Sequence, residues 1–585
     1  MSTPPSSWSE IEQRLWHAVG RGEPPNVAAV SSTGGTRPLD GTANGLVSAD
    51  VLAYLMLQPP SPTSGVVSKL HLVGARVTGR LLLRHAIVEL PVALVNCYFD
   101  EPIELDNATL RAADFDGCQM PSFEANGLRV SGDLTLSRLV SSKVSLFRAE
   151  INGNLWLNEA QISTSQDGFA LHGPQMRIGG GLYAESIHVA GCLNLWGAEA
   201  FTIEVTNAQL SFDAGPAFRG DGISLRRDLN CSNVTVSDGG ISLFGATIGG
   251  QFWLNDAKVS HSSGWAVNAP LVTVGGGLYG RGLAANGGVN LFAATISESI
   301  ELPHSTLISY RHRSLRAPGS HIGGSLILDD AVNVAGTVDL HRSDIKGALT
   351  ISGATFSDAD DTTIDLRRAT IGIFDMTGIS VPPAALDLRG AIIDTIDDEP
   401  DSWPQRIDLR MLTYRALNPL LPAGRRLVWL GRDDDNYHPQ PYEHLAAHYR
   451  QQGHDNDERA VLLARHRLRR RNLRPLAQVW GYFEDATTGY GYRPVRALGW
   501  LLVLTTVVAT VFSITPPRSL QPDSGSPFHP VAYALDLILP ILDLGQQSSF
   551  IPVGATQWLA WASSLAGWLL ATTVIAGITR ALTRS

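Results

Sequence analysis

Between residues 65 and 397 apolar and polar positions alternate in short bursts, not in helical stripes. Apolar pairs split by one position recur as Leu134/Leu136, Val144/Leu146, Leu155/Leu157, Leu193/Leu195, Ile241/Leu243, Phe252/Leu254, Val289/Leu291, Leu326/Leu328, Val338/Leu340 and Leu386/Leu388. Neighbouring pairs most often lie about eleven positions apart. Alternation of period two marks a short strand with one buried face. Such a step is too short for a hairpin plus a helix. The pattern predicts a mainly β fold, a right-handed β-solenoid with two units and about 22 residues per coil; about 15 coils stacked at ~4.8 Å give a rod of about 70 Å.

The unit has the form I-x-G-x-L-x-L-x-x-A-x-I and is clearest as IGGQFWLNDAKV at Ile248–Val259, with near-copies at Ile151–Ile162 and Ile322–Val332. A longer period is superimposed on it. LFRAEINGNLWLNEA (146–160) returns as LFGATIGGQFWLNDA (243–257), and GGGLY at 179–183 returns at 275–279. Glycine ahead of the strand predicts a corner with unusual φ/ψ. The small alanine lets the chain pass close to the next coil. Asn154, Asn158, Glu159, Asn255 and Asp256 are expected to point outward or to form ladders. Loops at Ser163–Gly168 and Ser260–Gly264 interrupt the step at equivalent places and are expected to protrude.

Outside the array the pattern changes. Residues 1–64 predict a helical cap, with Ser7 and Glu10 placed as a capping box and a second short helix after Ser48. Residues 398–440, rich in Pro and Asp, predict a connector. Residues 441–496 predict a cytoplasmic helical segment: Tyr442, Leu445, Ala446 and Tyr449 share one face, Gly453 interrupts, Asp455 or Asp457 caps, and Ala460, Leu463, Ala464 and Leu468 continue. It ends in a basic run of Arg465, Arg467, Arg469, Arg470, Arg471 and Arg474.

Residues 497–585 predict a transmembrane domain with two spans, Ala497–Thr515 and Trp558–Ile578, each about 20 residues long, the thickness of a bilayer core. The basic run precedes the first, Arg580 and Arg584 follow the second, and the loop from 516 to 530 holds only Arg518. By the positive-inside rule both termini are expected on the cytoplasmic side of the cell membrane, with the six arginines on anionic lipid headgroups. Between the spans lies the short apolar hairpin 531–546 with Asp536, Pro540 and Asp543. Two readings stay open for it: a cation-selective pore loop in an oligomer, or a hairpin whose aspartates hydrogen-bond to loop amides. TGYGY at Thr488–Tyr492 precedes the first span and is expected to be a turn, not an ion filter.

Composition narrows the functions. A net charge of −10 argues against nucleic acid as a partner. Cys97, Cys118, Cys192 and Cys231 form no C-x-x-C and read as small buried hydrophobes. The N-terminus lacks a basic and an apolar signal region, so this part is expected to start in the cytoplasm. Gly179–Gly181 and Gly275–Gly277 lack the helix and acidic residue of a dinucleotide loop. His304, His312, His321 and His341 show no ligand spacing, and Asp329/Asp330 and Asp358/Asp360/Asp361 read as solvated turns. No catalytic residue, cofactor or metal is expected.

The A-x-[IL]-x-G and L-x-L-x-x-A texture resembles pentapeptide-repeat and related quadrilateral β-helix proteins. From Tyr442 onward YEHLAAHYRQQG, GYGYRP and LDLILPILDLGQ resemble the C-terminal region of membrane-anchored bacterial β-solenoid proteins, mostly actinobacterial, often labelled membrane-associated oxidoreductases. The resemblance implies that activity; the residues themselves point to a membrane-tethered scaffold that binds a protein partner, or to an oligomeric channel gated by the solenoid.

Overall fold

The computed structural model describes the chain except for residues 1–3, 23–44, 62–66, 164–167, 358–362, 434–437, 472–477, 479–480, 483–484, 487–493, 521–526, 540 and 583–585. It forms two compact units, Met1–Leu420 with Arg432–Asp434, and Leu421–Gly431 with Asp435–Ser585.

The first unit is a parallel β-solenoid of about 15 turns with about 22 residues per turn. Each turn carries four strands of mostly two residues, such as Gln119–Met120, Phe123–Glu124, Arg129–Val130 and Leu134–Thr135. These pair in register with the following turn, Gln119 with Val140, Phe123 with Val144, Arg129 with Glu150 and Leu134 with Leu155. Among the described residues the solenoid strands fall into two 27-stranded parallel sheets. One turn of the interior is Leu134, Leu136, Leu139, Val144, Leu146, Ala149 and Ile151, all buried. Each large side chain among these stabilises the stack by about 1.5–3 kcal/mol.

Turn length alternates. The turns from Gln161 to His188, Gln209 to Thr235, Lys258 to Ala284 and Thr306 to Asn333 are long. Those between them, from His188 to Gln209, Thr235 to Lys258 and Ala284 to Thr306, are shorter. Between Gln161 and Asn333 every second turn therefore carries an insertion. Of the two loops predicted to protrude, Ser260–Gly264 lies in one of these insertions, and most of Ser163–Gly168 falls outside the described residues.

The glycines before the strands work differently from expectation. Gly179, Gly180, Gly249 and Gly275 do not have positive φ. A Cβ on Gly179 would collide with the carbonyl of Asn152, one on Gly249 with that of Arg226 and one on Gly275 with that of Gly249. They are selected by the close approach of the preceding turn. The left-handed corners lie after the apolar pairs and are filled mainly by Asn, Asp, Arg, Glu and Gly, for example Asn107, Arg138 and Glu159 at φ 55°, 53° and 58°. The predicted ladders are present: Asn154, Asn158 and Asn255 accept the backbone N–H of Gly181, Glu185 and Arg281 in the next turn, each at 2.9 Å.

Two boundaries shift. The capping box of α1 (Glu10–Arg21) is Ser9 with Glu12, not Ser7 with Glu10. The Ser9 N–H donates to Glu12 at 2.8 Å, and the second Glu12 oxygen accepts the Ser48 N–H at 2.9 Å, so this box also ties α1 to the start of α2 (Ala49–Leu57). The first solenoid strand, Leu46–Ser48, lies inside the predicted cap and pairs with Arg76–Thr78. At the other end, the predicted connector 398–440 begins with a further turn, because Arg406–Asp408 and Thr413–Asn418 continue the two sheets. Buried Asp398 accepts the indole N–H of buried Trp403 at 2.8 Å, which turns the Pro- and Asp-rich stretch into a packed corner.

The second unit is helical. α3 (Ala423–Leu430) starts where the Ala423 N–H donates to Asp457 at 2.9 Å; α4 (Pro439–Gln451) and α5 (Asp455–Arg471) form the predicted helical hairpin around Gly453, whose φ is 77°. Then come α6 (Pro494–Ile514), α7 (Pro530–Ile538) and α8 (Ala555–Leu582). These three share a core of Leu501, Val508, Phe512, Tyr533, Ala534, Leu537, Ile538 and Ala560 with Phe550. Among the described residues one helix is long and apolar enough to cross a membrane, over Arg496–Ile514 with mean hydropathy 2.2.

Candidate functional site: an aromatic column and a carboxylate-held hairpin

At one corner of the solenoid, successive turns place Phe147, Pro174, Trp196, Asp221, Phe244, Pro270, Phe292 and Pro318 directly above one another. The residue after each donates its N–H to the carbonyl of the next member: Arg148 to Pro174, Gln175 to Trp196, Gly197 to Asp221, Gly222 to Phe244, Gly245 to Pro270, Leu271 to Phe292 and Ala293 to Pro318, at 2.7–3.0 Å. The corner residue's own N–H lies outside this ladder and needs an acceptor. Proline removes the donor at three positions. At the four aromatic positions a side-chain oxygen accepts it: Asn126 for Phe147 (3.3 Å), Asn194 for Trp196 (3.1 Å), Asp221 for Phe244 (3.0 Å) and Asn290 for Phe292 (3.3 Å).

The alternation shapes the surface. Pro174 and Pro318 are buried and Pro270 is half-buried. Trp196, Phe244 and Phe292 stand 45%, 52% and 39% exposed, with Leu271 beside them at 48% in a left-handed conformation, φ 58°. That conformation costs a non-glycine residue about 1–2 kcal/mol. In the sequence most column members directly follow an apolar pair, while Pro174 and Asp221 follow a glycine. Sequence patterning passes over it because outward positions carry no periodicity of burial.

Further along, the same column becomes ionic: His341, Arg367, Arg389 and Arg410. The N–H of each arginine donates to the aspartate two positions earlier, Asp365, Asp387 or Asp408, at 3.1–3.2 Å, and its guanidinium forks onto the same carboxylate. Arg389 also reaches Asp408 of the next turn at 3.3 Å. Burial works against the ionised forms of Asp365 and Asp408, but hydrogen bonds and charge from the arginines outweigh it and hold both pKa values below the usual carboxylate value. His341 lies against Asp339, two positions earlier, at 2.6 Å, and the stack adds Asp365, so that one oxygen or nitrogen each from Asp339, His341 and Asp365 lies within 4.8 Å of the others. A full turn of chain separates Asp339 from Asp365, its register partner, and hides this group from any local spacing rule. Since Arg367 already occupies Asp365, the group forms the first rung of an ion-pair ladder. The predicted turn at Asp358, Asp360 and Asp361 and the side chain of His312 fall outside the described residues.

On the opposite sheet GGGLY gains a physical role. The Tyr183 ring folds back over Gly181, where a Cβ would strike it, and stacks on Trp156 of the preceding turn at 4.4 Å and 18°; Tyr279, Gly277 and Trp253 repeat this at 4.7 Å and 25°. The glycine runs are corners and ring seats. Burial pushes the thiols of Cys192 and Cys231 up to about 12, which removes their nucleophilic form at neutral pH.

Compared with family models, curated proteins and solved structures, the chain matches none of them.

In the second unit Asp536 is buried and its carboxylate accepts three backbone N–H groups, from Leu544 at 2.9 Å, Gln546 at 3.0 Å and Gln547 at 2.8 Å. Asp543 is exposed and accepts the Gly545 N–H at 3.0 Å. Pro540 lies outside the described residues. Of the two hairpin readings, Asp536 fits that of an aspartate bonded to loop amides. Three residues of the basic run are engaged as well. Arg465 bonds Glu443 at 2.5 Å, Arg467 bonds Asp485 at 2.9 Å, and Arg470 bonds Asp485 at 3.2 Å while lying 3.8 Å from the Tyr482 ring centre. Burial opposes the ionisation of Asp485, and these two arginines overcome it and lower its pKa. Arg469 is exposed; the side chain of Arg471 and all of Arg474 and TGYGY fall in residues not described, apart from the helical backbone of Arg471. The expectation of six arginines on lipid headgroups thus meets three that spend their charge on carboxylates of the same unit.

Proposed function

We propose that this chain is a membrane-tethered cytoplasmic scaffold whose solenoid binds protein partners. The observation that carries the reading is the column of exposed aromatic side chains at Trp196, Phe244 and Phe292, each with its backbone fixed by a side-chain acceptor. Contiguous exposed aromatics on a soluble surface mark interaction sites, and a rigid backbone lowers the entropy lost on binding. The membrane half of the proposal rests on α6, whose Arg496–Ile514 stretch of 19 residues reaches ~28 Å. We take α8 as a second span, with Trp558, Trp561, Leu565 and Trp568 turned outward and both termini cytoplasmic. The channel reading loses support at Asp536, whose oxygens are committed to backbone amides. The oxidoreductase reading rests on the resemblance alone.

The test compares the full chain with Trp196→Ser/Phe244→Ser/Phe292→Ser. Proteins that co-purify with the native chain should be lost from the triple variant while its far-UV spectrum and melting temperature stay unchanged. An identical set of partners on both would end the proposal.

A further inference from the structure

The spacing of the column specifies what kind of chain can lie on it. Phe147, Trp196, Phe244 and Phe292 occupy every second turn, so neighbouring rings are ~9.6 Å apart. Two of the rings are partly covered by the turn that follows them: His172 stacks on Phe147 at 26°, and the Arg316 guanidinium lies 4.7 Å from the Phe292 ring centre. Between the rings the column members are set back, with Pro174 buried and Asp221 and Pro270 half-buried. The result is a row of rings at a fixed interval, of which Trp196, Phe244 and Phe292 stand exposed.

Three extended partners can be compared with that interval. A polyproline-II helix repeats a face every three residues, ~9.3 Å. A β-strand repeats a face every ~6.7 Å. An α-helix returns to the same face after seven residues, ~10.5 Å. Over the three intervals from Phe147 to Phe292 the polyproline-II chain drifts by ~1 Å, the α-helix drifts by ~3 Å, and the strand falls out of phase. Polyproline II also leaves its carbonyls unpaired, and Trp196 brings an indole N–H to the track.

Charge and area add two constraints. A guanidinium marks each end of the aromatic track, Arg148 at 5.0 Å from the Phe147 ring centre and Arg316 at Phe292. The acid between them, Asp221, is bonded to Arg219 at 3.0 Å. The track is ~29 Å long, and at a width near 10 Å it offers roughly 300 Å², against ~800 Å² per partner in a standard protein interface. It is too narrow for a second solenoid to dimerise on and suits a single extended chain.

Resting on the scaffold reading above, we infer that this column binds a polyproline-II segment about nine residues long, carrying acidic residues at both ends.

The probe is a fluorescent peptide of nine prolines flanked on each side by two glutamates, titrated by anisotropy against the full chain in detergent. Binding is expected to weaken at least tenfold in the triple Ser variant. A peptide with lysine flanks should bind several-fold more weakly, with the gap closing as salt rises. Arg148→Glu/Arg316→Glu, which leaves the aromatics intact, should reverse the preference for flanking charge. Equal binding by a Gly/Ser peptide of the same charge, or by an amphipathic helical peptide, overturns the inference, as does unaltered affinity in the triple variant. If the proline peptide fails while the triple variant still loses its co-purified partners, the polyproline-II assignment falls and the scaffold stands. If neither effect occurs, both fall.

Discussion

Two halves of one column differ in what they do with the same backbone. From Phe147 to Pro318 the corner carries rings and prolines; from Arg367 to Arg410 it carries guanidinium groups, each locked to an aspartate. The interior does not follow the change: Leu243, Leu291, Leu366 and Leu388 are equally buried beneath both halves. In both, the same problem is solved, an outward N–H that the ladder leaves without an acceptor. The ionic half solves it with the carboxylate that also neutralises the arginine, so its side chains are consumed by the fold. The apolar half solves it with Asn, Asp or Pro, so its rings take no part in meeting that N–H. A surface that folding does not use is where binding can be sought.

Substitutions should separate what the halves share from what they do not. The largest effect is expected where successive turns approach closely in both halves. Gly275→Val and Gly372→Val each drive a side chain into the backbone of the preceding turn and should cost about 3 kcal/mol or more in either half, measured by thermal or denaturant melting. Equal tolerance at either site would deny the close-approach account. Acid should strike the ionic half first. Asp365 and Asp408 have lowered pKa values in the folded chain, so the stability they add is complete above about pH 4, the unfolded value, and is lost as pH falls through their folded values. Hydrogen exchange below that pH should rise in residues 363–418 before it rises in residues 144–296. Asp387→Asn removes one rung; since Arg389 is 41% exposed, the cost should be ~1 kcal/mol, reduced by salt. The smallest effects belong to the rings. Phe244→Ser should change stability by about 0.5 kcal/mol or less, and Leu271→Asn should raise it by up to ~1 kcal/mol by relieving the left-handed leucine.

The solenoid was legible because burial repeats with the chain: Leu155/Leu157 and Ile241/Leu243 announce strands whatever lies around them. What stayed hidden depends on register between turns. Whether Gly179 serves φ or clearance is decided by Asn152, a whole turn earlier. His341 meets Asp365 only because the turn between them closes with Asp339 and Asp365 in register. The last solenoid turn was hidden by Trp403 and Asp398, whose hydrogen bond lets a Pro- and Asp-rich stretch pack. Asp536 was legible as one of two alternatives, since a short apolar segment with an acid must find donors; which donors it finds depends on how the loop at Leu544–Gln547 folds back.

The alternation of long and short turns has a further consequence. Phe147, Trp196, Phe244 and Phe292 follow one another at almost equal intervals along the chain. Two of those intervals make up the longer sequence period, which is therefore two copies of a smaller module that spans two turns. Such a module adds one ring, one insertion and ~9.6 Å, and presents the same register at both ends. Duplicating or deleting it would lengthen or shorten the track by one ring without a new seam in the fold. The array behaves as a ruler whose graduations are aromatic, and its length can be edited in whole units by recombination within the gene.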